Sequence, residues 1–283
     1  MINQIKTVLL LGILTAIMLF IGSLFGTTGL TIALILVLGM NLISYFFSHK
    51  IVLAIYRAKE ASKKDYPKLH AIVENVARKA GIPKPKVYII PSDNLNAFAS
   101  GRNPKNAVVA CTEGILRVLN EKELEGVLAH EVSHVKNRDI LIGTIAATIA
   151  GVITYVAHMA RFAAIFGGGR DREGNSNIIG LLLISIIAPI AAMIIQLAIS
   201  RAREYHADES GAKLLKDGEG LASALLKLEK HNKMHPMRFG SPSFSHLFIS
   251  NPLSGGGLVN LFLTHPPIHL RVKKLRELSK SFG

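Results

Sequence analysis

Hydrophobic and polar positions alternate in this chain on two different scales. On the long scale, four stretches contain no Asp, Glu, Lys or Arg: two within residues 7–48, on either side of Gly26-Thr27-Thr28-Gly29, and then Ile140–Ala160 and Ile178–Ser200. A bilayer core of about 30 Å takes about 20 helical residues to cross. The pattern therefore predicts four transmembrane helices, near Thr7–Phe25, Leu30–Phe47, Ile140–Ala160 and Ile178–Ser200.

On the short scale, the segments between these runs show the periods of ordinary helices and strands. Lys50–Lys64 reads as a helix leaving the membrane, and Tyr66–Ala80 as a second helix closed by Gly81. Three short strand-like runs follow, Lys86–Ile90, Asn96–Gly101 and Ala107–Cys111, separated by Pro-, Asn- and Ser-containing turns. They suggest a small antiparallel sheet. A helix starts at Asn120, with Glu123 completing a capping-box pattern, and carries apolar residues at 124, 127, 128, 132 and 135. Beyond the second pair of uncharged runs, helices are expected at Ser200–Leu215 and Gly220–His231. A loop-rich stretch follows at 233–259, then an amphipathic helix after His265-Pro266-Pro267. The fold class is mainly α with a small β-sheet. In order, the parts are an N-terminal hairpin (1–48), a polar half (49–139), a second hairpin (140–200) and a second polar half (201–283).

Composition sharpens this picture. The 283 residues combine 49% hydrophobic content with a net charge of +14, and mean hydropathy is +0.36. A single soluble core does not normally combine these; spans and loops together can. Lys50, Arg57, Lys59, Lys136, Arg138, Arg201 and Arg203 all lie close to the ends of predicted spans. By the positive-inside rule both polar halves, and both termini, face the cytoplasm. The first run reads as a retained signal anchor, because no small-x-small cleavage site precedes the turn and a second span follows at once. The basic excess is spread over both halves with no nucleic-acid-binding motif, which argues against a nucleic-acid partner. The single Cys111 cannot form an intramolecular disulfide, as suits a reducing compartment.

The chemistry centres on His130-Glu131-Val132-Ser133-His134. Residues four apart share a helix face, so His130 and His134 can reach one metal ion with Glu131 beside them. The apolar stripe at 124, 128, 132 and 135 puts both histidines on a different face from the main packing face. Glu204 offers a third ligand, and Asp208, four residues on, can accept a proton from the far nitrogen of a ligating histidine. His206 competes for the ligand role but points about 200° away from Glu204 on a helix. His134 and Glu204 are separated by two predicted spans, an even number, which returns the chain to one face of the membrane. On this count the metal lies within roughly 10 Å of the lipid. Asn96, Ala97, Phe98 and Ala99 read as an edge strand able to pair with an extended substrate backbone.

Several stretches together resemble the HtpX group of the M48 metalloproteases, relatives of the CAAX-prenyl protease Ste24 and of Oma1. They are Asn96-Ala97-Phe98-Ala99, His130–His134 with Asn137-Arg138-Asp139, the Ser-Arg-x-Arg-Glu-Tyr-x-Ala-Asp run from Ser200, and Thr264-His265-Pro266-Pro267 with Arg271. The resemblance implies a gluzincin-like zinc protease domain on the cytoplasmic side, holding one zinc ion per chain. His130, His134 and Glu204 are its implied ligands and Glu131 its catalytic base. The implied role is membrane-protein quality control, with membrane proteins as substrates and the lipid bilayer as a partner. His265 is a candidate for stabilising the oxyanion, as similar proteins suggest, or else only orients the last helix. Tyr205-His206 and His269 depart from the group's usual residues, which bears on substrate preference. Two rival classes remain. A metal transporter would need more ionisable residues in the spans than His158, and a catalytically weak scaffold would have no need of Glu131.

Overall fold

The computed structural model describes residues 26–139, 201–234, 249 and 266–282, with scattered positions between 12 and 23. The chain forms two compact units, one of Met1–Phe46 with Ile145–Ala198 and one of Phe47–Thr144 with Ile199–Gly283. The expected spans near 7–25, 140–160 and 178–200 lie largely or wholly outside the described residues, as does most of the loop expected at 233–259.

Helix α1 (Gly26–Ile55) starts at Gly26 itself, so Thr27–Gly29 form its first turn rather than a separate linker. It exposes many large apolar side chains, among them Leu30, Ile35, Leu38, Leu42 and Phe47. Among the described residues, however, no helix is long and apolar enough to cross a membrane.

The helix expected over Lys50–Lys64 ends early. α1 stops at Ile55, Arg57 takes a left-handed conformation (φ 52°), and Lys59–Glu60 becomes a short strand, β1. The reason lies in the neighbouring sheet. β1 pairs antiparallel with β2 (Lys86–Ile90), Lys59 opposite Ile89 and Glu60 opposite Tyr88, and so covers an edge that would otherwise stay open. Its two charged side chains remain in solvent.

The sheet is mixed, not antiparallel. Its order is β1-β2-β4-β3, where β3 is Ala97–Ser100 and β4 is Val108–Thr112. β3 and β4 form a second antiparallel pair, while β4 lies between β3 and β2 and runs parallel to β2, with Lys86 opposite Val108. Thr112 then caps a short helix, α3 (Glu113–Val118), by accepting the Ile115 amide at 3.2 Å.

α2 (Pro67–Ala80) buries Leu69, Ile72, Val73, Val76 and Ala80 and ends at Gly81 in the left-handed region, where the Gly81 N–H closes back on the last turn. α4 (Glu121–Asn137) has the full capping box expected of it: the Asn120 side chain accepts the Glu123 amide and the Glu123 carboxylate accepts the Asn120 amide. Glu123 is itself buried, and takes hydrogen bonds from Ser223 Oγ at 2.7 Å and Lys227 Nζ at 2.8 Å. Those partners lie on α6 (Glu219–Met234), so one carboxylate both starts α4 and fastens it to a neighbour.

α4 is the centre of the second unit. α2, α5 (Arg201–Leu215), α6 and β3 all pack on it, and α7 (Ile268–Lys280) closes against α5 and α6. Leu124, Val127, Leu128, Val132 and Val135 join the same buried cluster as Ala97, Ala99, Leu221 and Leu225. Close approach of α4 and α6 needs Gly126: a β-carbon there would stand 2.6 Å from the Leu221 amide nitrogen. Gly126→Ala should therefore destabilise the fold by about 1–3 kcal/mol through forced helix separation, read as a lowered denaturation midpoint.

Candidate metal centre

α4 presents His130, Glu131 and His134 at one end of its buried length, and α5 brings Glu204 and Asp208 against them. The sequence pattern suggested that the histidines lie on a face apart from packing. Instead both faces of α4 are covered: His130 is 1% exposed and Glu131 3%. Gly211 on α5 makes this possible, since a β-carbon there would stand 3.0 Å from the His130 amide nitrogen and 3.1 Å from the Ala129 carbonyl carbon.

The three expected ligands converge. Glu204 Oε2 is 3.6 Å from His130 Nε2, and Glu204 Oε1 is 3.4 Å from His134 Nε2. One ligand atom from each residue fits within a 4.8 Å cluster, the arrangement of a group that could hold a metal ion. The two imidazole rings stand edge to face, centroids 4.8 Å apart. Two imidazoles and one carboxylate form a donor set suited to zinc, with room for a further ligand.

Behind this set lie the groups that hold it. His130 Nδ1 is 2.8 Å from Asp208 Oδ1, within ion-pair reach of that carboxylate. Arg271, fully buried on α7, grips Asp208 with two parallel hydrogen bonds, Nε to Oδ2 at 2.8 Å and Nη2 to Oδ1 at 2.7 Å. A third reaches the Ile249 carbonyl at 3.1 Å, and Arg271 Nη1 stands 3.9 Å from Glu204. No spacing argument singled out Arg271 as part of the site. Its signals in the sequence are its place beside Thr264-His265-Pro266-Pro267 in the M48-like pattern and a cation at the start of an amphipathic helix, 63 residues beyond its partner.

Charge follows from this packing. Burial works against ionising Asp208, yet Arg271 overrides it and holds the carboxyl down at about 2. Burial also opposes charge on the histidines. Asp208 and Glu204 nevertheless raise His130, while Asp139 and Glu204 push His134 up to about 10. Burial raises Glu131, with the two imidazoles pulling the other way. Cys111 is deeply buried on β4, and its thiol is pushed up to about 12 by burial first and by the charge of Glu131 second.

Other expected site residues fall as follows. β3 is an edge strand of the sheet. Its Ala99 N–H donates to Glu131 Oε2 at 2.9 Å, and its Ala97 carbonyl accepts the Ile249 N–H at 3.4 Å. Asn96 and Phe98 are fully buried, and Phe98 packs on Tyr56 with ring centroids 6.0 Å apart. His206 is exposed and outside the ligand cluster. His265 lies outside the described residues.

With this geometry in place, comparison with known proteins is decisive. The model of peptidase family M48 matches residues 63–279. The chain belongs to peptidase family M48. It is a metalloprotease. Relatives named "Protease HtpX homolog" include those of Desulforapulum autotrophicum, 55% identical over 99% of this chain and 91% of the relative, and Syntrophobacter fumaroxidans, 52% identical over 98% and 99%. A third, from Thermococcus kodakarensis, is 50% identical over 99% and 97%. Among solved structures, that of S. mikatae Ste24p is similar with a TM-score of 0.55 at 19% identity, covering 97% of this chain and 66% of that one. It supports an M48 protease fold, and the relatives imply protein substrates.

Two measurements test the M48 site. Glu204→Ala should lower metal content well below one ion per chain, read by elemental analysis after dialysis. Arg271→Leu strands the buried Asp208 carboxylate, and should cost about 3–5 kcal/mol of stability by denaturant unfolding.

Proposed function

We propose that this protein is a zinc-dependent endopeptidase of the cytoplasmic membrane that cleaves misfolded or membrane-associated proteins, in a quality-control role. The observation that carries the reading is the convergence of His130, His134 and Glu204 within one 4.8 Å cluster, with the buried carboxylate of Glu131 beside it.

In this reading His130, His134 and Glu204 hold one zinc ion. Bound there, zinc supplies Lewis-acid polarisation of a carbonyl oxygen and makes a water easier to deprotonate. Glu131 is the general base: it accepts the proton of the attacking water and passes it to the departing amine nitrogen. Its burial, which raises its proton affinity, suits it to that exchange. Asp208, charged through Arg271, orients His130 from behind. The edge position of β3 supports the pairing of an extended substrate backbone along Ala97–Ala99, with specificity coming mainly from main-chain hydrogen bonds. A partner strand there competes with Glu131 for the Ala99 N–H and with Ile249 for the Ala97 carbonyl.

The membrane assignment rests on the four uncharged runs of sequence and on the apolar side chains exposed along α1. The cytoplasmic assignment of both catalytic halves rests on the Lys and Arg residues flanking those runs. His134 and Glu204 meet in one site although two of the runs lie between them, which fits an even number of crossings.

The deciding experiment is Glu131→Gln. This variant should bind zinc in the same amount as the wild type, unfold at the same denaturant concentration, and lose at least about a hundredfold in casein cleavage, the lower range for losing a positioned base. Undiminished cleavage would remove Glu131 as the base. Wild-type cleavage that survives complete zinc chelation would remove the metal mechanism.

A further inference from the structure

We propose that Asp139 is a positioning residue for His134, as Asp208 is for His130. The proposal rests on the metal reading above and adds a residue to it.

The observation is geometric. His134 is held at both ring nitrogens: Nε2 faces Glu204 Oε1 at 3.4 Å, and Nδ1 faces Asp139 Oδ2, also at 3.4 Å. Asp139 is itself buried, at 8% exposure. On a continuing helix, a residue five positions past His134 would lie about 140° around the axis, out of reach of its ring. The chain solves this by ending α4 at Asn137. Arg138 takes a left-handed conformation (φ 59°), and its N–H closes on the His134 and Val135 carbonyls. That reversal turns Asp139 back toward the imidazole it follows.

The two histidines thus have parallel surroundings. Each directs Nε2 toward Glu204 and Nδ1 toward an aspartate. Behind Asp208 stands Arg271; Arg203 lies in electrostatic reach of both Asp139 and Glu204. An acceptor on Nδ1 fixes the proton there and leaves the Nε2 lone pair for the metal, besides setting the ring plane.

The test uses the full chain in detergent, with zinc affinity measured by chelator competition and the metal-free protein's unfolding midpoint measured in parallel. Asp139→Ala should weaken zinc binding about 10- to 100-fold. Asp139→Asn, which keeps an acceptor but not the charge, should lose less, and Asp139→Glu should recover part of the affinity. Lys136→Ala, on the exposed side of α4, should bind as the wild type does. Cobalt(II) in place of zinc should show a shifted visible spectrum in the Asn variant, as a reoriented ligand requires. Should the Ala variant fail to fold, the isosteric Asn variant decides. Unchanged zinc affinity together with an unchanged cobalt spectrum in Asp139→Asn overturns the proposal. A wild type that takes up no stoichiometric zinc, or one whose uptake survives His134→Ala, instead overturns the metal reading on which it stands.

Discussion

The constraint that organises this molecule is the cost of burying charge. Ionisable side chains (His130, Glu131, Glu204, Asp208 and Arg271, with His134 slightly exposed) are packed together with little exposure to water. Removing a single charge from water without compensation costs several kcal/mol. Each group is therefore tolerable only beside its partners. Arg271 neutralises Asp208, and the carboxylates in turn offset charge on the imidazoles. The region is a cluster of interdependent charges assembled from α4, α5 and α7, three elements far apart in sequence.

That interdependence explains the architecture around it. A helix carrying such a cluster must be covered where the cluster lies, and α4 packs against α2, α5, α6 and β3. Contact that close requires small residues where backbones meet, which is the role of Gly126 and Gly211. It also requires a firm start to the helix, and the Asn120–Glu123 cap with its ties to Ser223 and Lys227 provides one. Capping and packing thus position the helix that carries His130, Glu131 and His134.

How much of this was legible in the sequence varied with the kind of interaction. Local rules worked well: the Asn120 cap, the Gly81 stop and the four-residue spacing of His130 and His134 all belong to a single element, whose geometry is set by its own residues. Glu204 could be found because it shares a helix face with Asp208, which made two roles available at once. Relations between elements were harder. A period of two announces a strand but not its neighbour, so the parallel pairing of β2 with β4 was missed, and so was the departure of Lys59–Glu60 from the helix to cover β2. Likewise Arg271 belongs to the M48-like pattern, but its spacing says nothing of a partner, and only the fold brings it to Asp208. The burial of both faces of α4 was missed for the same reason, since its second covering comes from α5, 64 residues after α4 ends.

Cys111 is the chain's sole cysteine, it is fully enclosed, and its thiol is held almost entirely in the unreactive protonated form at neutral pH. Maleimides and other alkylating reagents need an accessible thiolate. The native chain is accordingly a silent background for thiol labelling, and a cysteine introduced at any surface position reports on that position alone.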